Sequence, residues 1–217
     1  MSLRALARKG RLLLDTVRAA DVKSVTWRNS RRSYDRLYRS DRLMSEYAGP
    51  DRIAFYDEVA EFATSFAPQR VLDVGCGSGH LLASVREHLA EPAELIGVDY
   101  APAAIRRMRD VVPEARGIVA SIFDLPAGIG TFDLVLCTEV LEHVARPTDA
   151  VAALRQPLRD EGRVVVTVPD GAHDDFIGHV NFWTEAEFSR FLEDYGLLDL
   201  RRISSGTTLL AVLGARG

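Results

Sequence analysis

The stretch "VLDVGCGSGH", Val71 to His80, decides how the rest of the chain is read. An apolar run carrying an acid, Asp73, ends in three glycines at every second position, and a Leu-rich segment follows. The first run reads as a strand, the last as the start of a helix, and the glycines as the bend between them. Glycine tolerates a tight turn, and its missing side chain lets a ligand come close to the backbone. A strand–loop–helix unit with a ligand cradle at its bend is therefore expected here.

Outward from this unit the pattern repeats. β-Branched apolar runs occur at 71–75, 94–98, 117–120, 132–137 and 163–168, with helical segments at 79–90, 101–111, 139–143 and 147–158 between most of them. Regular alternation of this kind predicts βαβ units, hence a parallel sheet with helices on both faces. A last helix over 184–195 precedes "LLDLRRIS" and "TTLLAVLGA", which only a short turn at Ser205-Gly206 separates, so they are expected to pair as an antiparallel hairpin. The predicted fold class is α/β: a doubly wound, Rossmann-like sheet of seven strands, mostly parallel, with an antiparallel last strand. Upstream, "DRIAFYDEVAEFATSFA" carries Ile53, Phe55, Tyr56, Val59, Phe62 and Phe66 near helical spacing, and reads as one helix delivering the chain to this body.

The 217 residues suffice for one sizeable core, and Gly49-Pro50 marks the boundary between a helical N-terminal arm, 1–50, and a body, 51–217. Charge divides at nearly the same place. Residues 1–52 hold 13 Lys and Arg against 6 Asp and Glu, whereas the remainder holds 14 against 25. A basic arm beside an acidic body is expected to lie against that body, with nucleic acid or an anionic lipid surface as alternative partners. The stripe Leu3, Leu6, Leu13 and Val17 would serve any of these. No run approaches the roughly 18 apolar residues of a membrane span, and no secretory signal is read. Two cysteines, Cys76 and Cys137, make no disulfide framework, so a cytoplasmic setting is expected.

In a doubly wound sheet, ligands bind beyond the carboxyl ends of the strands where strand order reverses. Asp99 ends the second predicted strand, 24 residues after Gly75, near the offset at which an acid reaches ribose hydroxyls. A nicotinamide dinucleotide would need G-x-G-x-x-G and a pyrophosphate at the helix N-terminus. Here the spacing is G-x-G-x-G with His80 where the third glycine would fall, and Asp73 would repel a pyrophosphate. An acid at that place suits a ligand bearing an amine or a positive charge. Asp99 acting only as a cap for the following helix is the plainer alternative.

Four stretches in this order and spacing, "VLDVGCGSGHLL", "LIGVDYAPAAIRRMR", "ASIFDLP" and "FDLVLCTEVLEHV", resemble the class I S-adenosylmethionine-dependent methyltransferases. The resemblance is nearest to the broad group that methylates small molecules. It covers residues 70–170 closely and the rest to 215 loosely, and leaves the arm outside. It implies S-adenosyl-L-methionine as cofactor, with Asp73 near the methionine amine and Gly75, Cys76, Gly77 and Gly79 walling the cradle. Asp99 would hold the ribose hydroxyls, Tyr100 would lie against the adenine, Ile122 and Phe123 would border its edge, and Thr138 and Glu139 the methionine end. Where the family often has an adenine-accepting acid this chain has Ser121, which weakens that contact or passes it to Asp124. Cys137 as a nucleophile would need a preceding proline; Leu136 stands there, so a small buried strand residue is expected.

Methyl transfer from a sulfonium is an in-line displacement in which positioning supplies most of the acceleration, and a base is needed when the acceptor is an alcohol or a protonated amine. The pair Glu142-His143, closing "TEVLEH", serves either the structure and the shape of the cofactor site or catalysis. The segment 169–188, "PDGAHDDFIGHVNFWTEAEF", must cross the carboxyl edge of the sheet and mixes His173, Asp174, Asp175, His179 and Asn181 with Phe176, Phe182 and Trp183. Polar groups amid aromatics make an acceptor pocket, with His179 the candidate base; Thr184 and Glu187 would cap the next helix. The His/Asp spacing is irregular, so no metal is expected. N-terminal helices in this family commonly lie across the cleft, and Tyr34, Tyr38 and Tyr47 are expected to close over it as a lid. The expected activity is methylation of a small-molecule acceptor, at oxygen before nitrogen. RNA or protein methylation through the basic arm, and a non-catalytic cofactor-binding role, are the alternatives. Nucleic acid is not an expected partner, since no dedicated RNA-binding module is visible, and a homodimer stays open.

Overall fold

The computed structural model describes residues 28–215; the stripe Leu3, Leu6, Leu13 and Val17 lies outside them. Two short helices, α1 (Arg31–Leu37) and α2 (Asp41–Tyr47), precede α3 (Pro50–Thr64). Alternation then begins with β1 (Arg70–Val74), α4 (His80–His88), β2 (Glu94–Asp99), α5 (Pro102–Val111), β3 (Arg116–Val119) and β4 (Phe132–Thr138). It continues through α6 (Pro147–Arg155), β5 (Leu158–Pro169) and α7 (Glu185–Leu192), and ends with β6 (Leu197–Ile203) and β7 (Thr208–Gly214). One seven-stranded sheet results, in the order β3-β2-β1-β4-β5-β7-β6. β1 pairs in parallel with β2 and with β4, while β7 lies antiparallel between β5 and β6. Strand order therefore reverses between β1 and β4, and their carboxyl ends frame the crevice where such sheets bind ligands.

The central strands are buried on both faces, as helical cover on both sides requires. Val71, Leu134, Leu136 and Val165 face a core shared with α3, α4 and α5. Leu72, Val135, Cys137 and Val166 face the opposite core with α6 and α7. Phe132 and Phe188 are fully buried there, and truncating either to Ala would cost about 3–5 kcal/mol. Proline stands at the first position of α3, α5 and α6, where its missing N–H is no loss and its fixed φ suits the helix. Thr184 and Glu187 form the expected capping box of α7.

Three expected elements differ. α6 stops at Arg155, not 158, because Pro157 has no N–H with which to continue the helical hydrogen bonds, and the freed chain joins β5, pairing Leu158 with Phe132. The segment 139–143 is only a single 3-10 turn, Leu141–His143, since Glu139 takes a left-handed φ of 55° that breaks any helix starting there. α7 ends at Leu192 and tightens into a 3-10 turn, Glu193–Tyr195.

The described part of the arm does lie on the body, but its charges work opposite to expectation. The ion pairs joining the two use the arm's acids: Asp41 with Arg107 at 2.5 Å and Asp35 with Arg106 at 3.9 Å. Asp35 also accepts from the Ala103 backbone N–H at 2.7 Å. Tyr38 supplies the apolar anchor, buried against Ala101, Ala103 and Ala104. Arg31, Arg32, Arg36 and Arg42 point outward and are exposed.

Candidate active site

β1 delivers the chain to the crevice. Beyond Val74 the loop is held down by the Gly75 and Cys76 N–H groups, which both donate to the Val98 carbonyl, at 2.7 and 3.0 Å. Gly75 and Gly77 both need glycine. Their φ values are 83° and 52°, and a Cβ would stand 2.4 Å from Val140 Cγ2 in the first case and 2.7 Å from Tyr38 Oη in the second. Gly79 does different work: it faces α5, where a Cβ would meet Met108 Cγ at 2.5 Å, and it does not line the cleft. Cys76 packs beside Met108 with its Sγ 3.7 Å from the thioether sulfur. Burial pushes the thiols of Cys76 and Cys137 well up, so both are wall residues.

Two carboxyls stand under this loop. Asp99 accepts from the Gly77 N–H at 3.1 Å and the Ala101 N–H at 2.8 Å. It thus ties the glycine loop to the start of α5, and a carboxylate has further lone pairs for two hydroxyls. Burial raises it to about 6, against those two N–H bonds. Asp73 is 1% exposed, and neither of its oxygens has a hydrogen-bond partner. Burial, with the nearby Asp99 charge, lifts it to about 8. A buried carboxyl left so is costly unless a cationic group meets it, and a bound amine would do so.

The cleft has two joined compartments that share Tyr34, Tyr38, Gly75, Glu139 and His143. The first, 270 Å³, is largely apolar and brings together Asp99, Tyr100, Ser121, Ile122 and Phe123, the residues expected to border ribose and adenine. Ser121 Oγ accepts from the Phe123 N–H at 3.2 Å, so its hydroxyl shapes the local turn. The second compartment, 470 Å³, runs from Asp73 past Thr138 and Glu139 to Glu142, His143 and His179.

At its far end the groups are tightly organised. His179 Nδ1 lies 2.5 Å from Asp174 Oδ2, and Asp174 is itself held by the Phe176 N–H. His143 Nδ1 lies 3.3 Å from the Gly178 carbonyl, and the two imidazole rings meet edge to face at 4.6 Å. Burial, then the neighbouring His179, takes His143 down to about 4. Burial, then the Glu139 charge, pushes Glu142 well up. Glu139 is also raised by burial; it accepts from Thr167 Oγ1 at 3.2 Å and faces Arg52 at 4.0 Å.

The candidate pocket segment divides. Phe176 and His179 line the cleft and Asp174 stands behind His179, whereas His173 and Asp175 are exposed. Asn181 donates to the Leu141 and Val144 carbonyls, and Trp183 stacks on Phe191, so both hold the loop. Sequence reasoning missed Arg52 and Tyr56, one turn apart on α3 and both lining the second compartment; the spacing of that helix had pointed only to core packing. It also missed Asn29, which donates to the Gly178 carbonyl at 2.9 Å and accepts from Tyr100 Oη at 3.2 Å. A lone Asn in a basic arm carries no signal for that bridge.

A reversal of strand order between β1 and β4, a glycine cradle after β1 and an acid closing β2 fit a Rossmann-like fold with a nucleoside-cofactor site. A family model described as a methyltransferase domain matches residues 38–201, and the chain belongs to that family. Its domain is of the S-adenosylmethionine-dependent methyltransferase class, and the orphaned Asp73 carboxyl beside the bare loop fits that cofactor's amine. The ubiquinone biosynthesis O-methyltransferase of Roseobacter denitrificans is 33% identical over 180 residues, 76% of this chain and 69% of that protein. The tRNA U34 carboxymethyltransferase of Tolumonas auensis is 29% identical over 174 residues, 70% of this chain and 52% of that protein. The solved structure of the N-methyltransferase NodS from Bradyrhizobium japonicum, in complex with S-adenosyl-L-homocysteine, superposes with a TM-score of 0.70 at 19% identity, covering 87% of this chain and all of that one. Against several curated relatives the chain spans about half their length, 41–52% in three of them. Among the described residues no helix is long and apolar enough to cross a membrane.

Proposed function

We propose that this chain methylates an oxygen of a small-molecule acceptor, such as a sugar, glycolipid or secondary metabolite, in the cytoplasm. The observation that carries the reading is the Asp174–His179 pair at the end of the cleft remote from the adenosine wall. When bound, the cofactor supplies an electrophilic methyl carbon. An alcohol acceptor must lose its proton as it attacks, and a positioned base contributes about 10²–10⁴-fold. Asp174 fixes the Nδ1 side of His179, leaving Nε2 to take that proton. Asp73 and Asp99 hold the amine and ribose ends, and Gly75 and Gly77 let the cofactor lie against the backbone. A relative named as an O-methyltransferase supports oxygen as the acceptor atom.

In this reading the arm, 1–50, is a lid on the catalytic body, 51–217. Its support is Tyr34 and Tyr38 lining both compartments and Asn29 bridging Tyr100 to the acceptor loop. Deleting residues 1–48 should weaken cofactor binding and abolish turnover; unchanged activity would remove the lid. A second reading, RNA methylation, draws on the outward arginines of the arm and on a relative named for tRNA. Transfer from radiolabelled cofactor to phenolic and sugar hydroxyls, to amines and to bulk tRNA separates them. Label on hydroxyls supports the proposal, and label on tRNA alone or on amines alone overturns it.

A further inference from the structure

Among the described residues, two side chains have buried oxygens with no hydrogen-bond partner: Asp73 and Glu142. Asp73 meets the cofactor's amine; Glu142 has no such explanation. It is 1% exposed, and its nearest positive candidate is His143 Nε2, at 3.7 Å, beyond hydrogen-bond reach. One ligating atom each from Glu142, His143 and His179 lies within 4.8 Å of the others. The two histidines are prepared in the same way. His143 has its Nδ1 on the Gly178 carbonyl and His179 has its Nδ1 on Asp174, so each presents Nε2 as a lone pair. A ligating histidine almost always donates its other nitrogen to a carbonyl or carboxylate, which fixes the tautomer and the ring.

We propose that Glu142, His143 and His179 form a binding site for a first-row divalent cation at the acceptor end of the cleft, with Asp174 as a positioning residue behind His179. An imidazole and carboxylate donor set suits zinc, manganese or cobalt ions. Three protein ligands leave coordination positions open, the pattern of catalytic rather than structural sites. An acceptor oxygen taking an open position would lose its proton to solvent more readily, because the cation stabilises the oxyanion. This refines the acceptor chemistry and rests on the oxygen-methylation reading. It also replaces one part of it, since a cation on His179 Nε2 and a free base at that nitrogen exclude each other. The irregular spacing that argued against a metal is bridged by the fold: Leu141–His143 and the 174–180 loop are joined when the Val180 and Asn181 N–H groups donate to the Glu142 carbonyl, at 2.7 and 3.1 Å.

Cobalt chloride titrated into the metal-stripped full chain, followed by visible absorption, tests the site. One equivalent should bind and develop a ligand-field band. Glu142→Gln and His179→Ala should abolish that band, and Asp174→Asn should weaken cobalt affinity by about 10–100-fold. Calorimetry with S-adenosylhomocysteine on the same proteins reports whether each variant is folded. No uptake by the wild-type chain overturns the site, as does unchanged uptake in Glu142→Gln that still binds S-adenosylhomocysteine. If either ligand variant fails to fold, Asp174→Asn and the wild-type titration decide. Cobalt bound by a chain that methylates no hydroxyl would sink the oxygen-acceptor reading and leave the site standing. Hydroxyl methylation by a stripped chain that takes up no cobalt does the reverse.

Discussion

At the proposed donor end of the cleft, the groups that would hold the cofactor's amine and ribose come from two short stretches, 73–77 and 99–100, each fixed to the end of a buried parallel strand. At the acceptor end, Glu142, His143, Asp174 and His179 come from two loops joined by backbone hydrogen bonds, with Arg52, Tyr56 and the arm's tyrosines around them. A strand end positions a side chain through the sheet, whereas a loop is positioned only by what it touches. The donor site is therefore rigid scaffold, and the acceptor site is a closure that can vary on the same scaffold.

The contrast is broken most severely at Gly77. Gly77→Val places a branched side chain at a positive φ against buried Tyr38, and S-adenosylhomocysteine binding should vanish in calorimetry. The complementary change is His179→Ala, for which turnover should fall about 10²–10⁴-fold while cofactor affinity stays within about twofold, since donor and acceptor groups are separate. If turnover survives at neutral pH, His179 has neither the base's role nor a ligand's. Asp99→Ala should weaken cofactor binding by about 1.5–3 kcal/mol, the range for hydrogen bonds to a charged group, with any acceptor preference unchanged.

Asp73 sharpens the comparison most finely, through pH. Its carboxyl is held near 8 in the folded chain and near 4 when unfolded, so the folded state binds the extra proton between those values. The stability that proton contributes is lost as pH rises through this window. Asp73→Asn should remove this slope, giving a higher melting temperature than wild type at pH 8 and little change at pH 4. Cofactor affinity in the wild type should strengthen from pH 6 to 8 as the carboxyl ionises to meet the amine. In Asp73→Asn the affinity should be weaker and flat; a persisting slope would place the titration elsewhere.

The same division explains what was legible in the sequence. The glycine spacing, Asp73 and Asp99 are local patterns on regular elements, so the strand–loop–helix unit, the sheet and the hairpin could be read directly. Pro157 stands inside the segment read as helical to 158, and its missing N–H is where α6 gives out. Glu142 was legible only as the partner of His143, and Asn29 and Arg52 were not legible as site residues. Their roles arise from contacts across 35 to 149 positions of chain, as between His143 and Gly178 or Asn29 and Gly178, and no local pattern encodes such closures.

The arm's mode of attachment has a consequence for ionic strength. Among the described residues, its hold on the body rests on buried Tyr38, the Asp35 bond to Ala103 and the Asn29 bridge. The exposed pairs that accompany these are worth about 0–1 kcal/mol each and are screened by salt. Raising salt would therefore weaken any polyanion contact of the outward arginines without lifting the arm from the cleft, so electrolyte tells a surface contact of this segment from its packing.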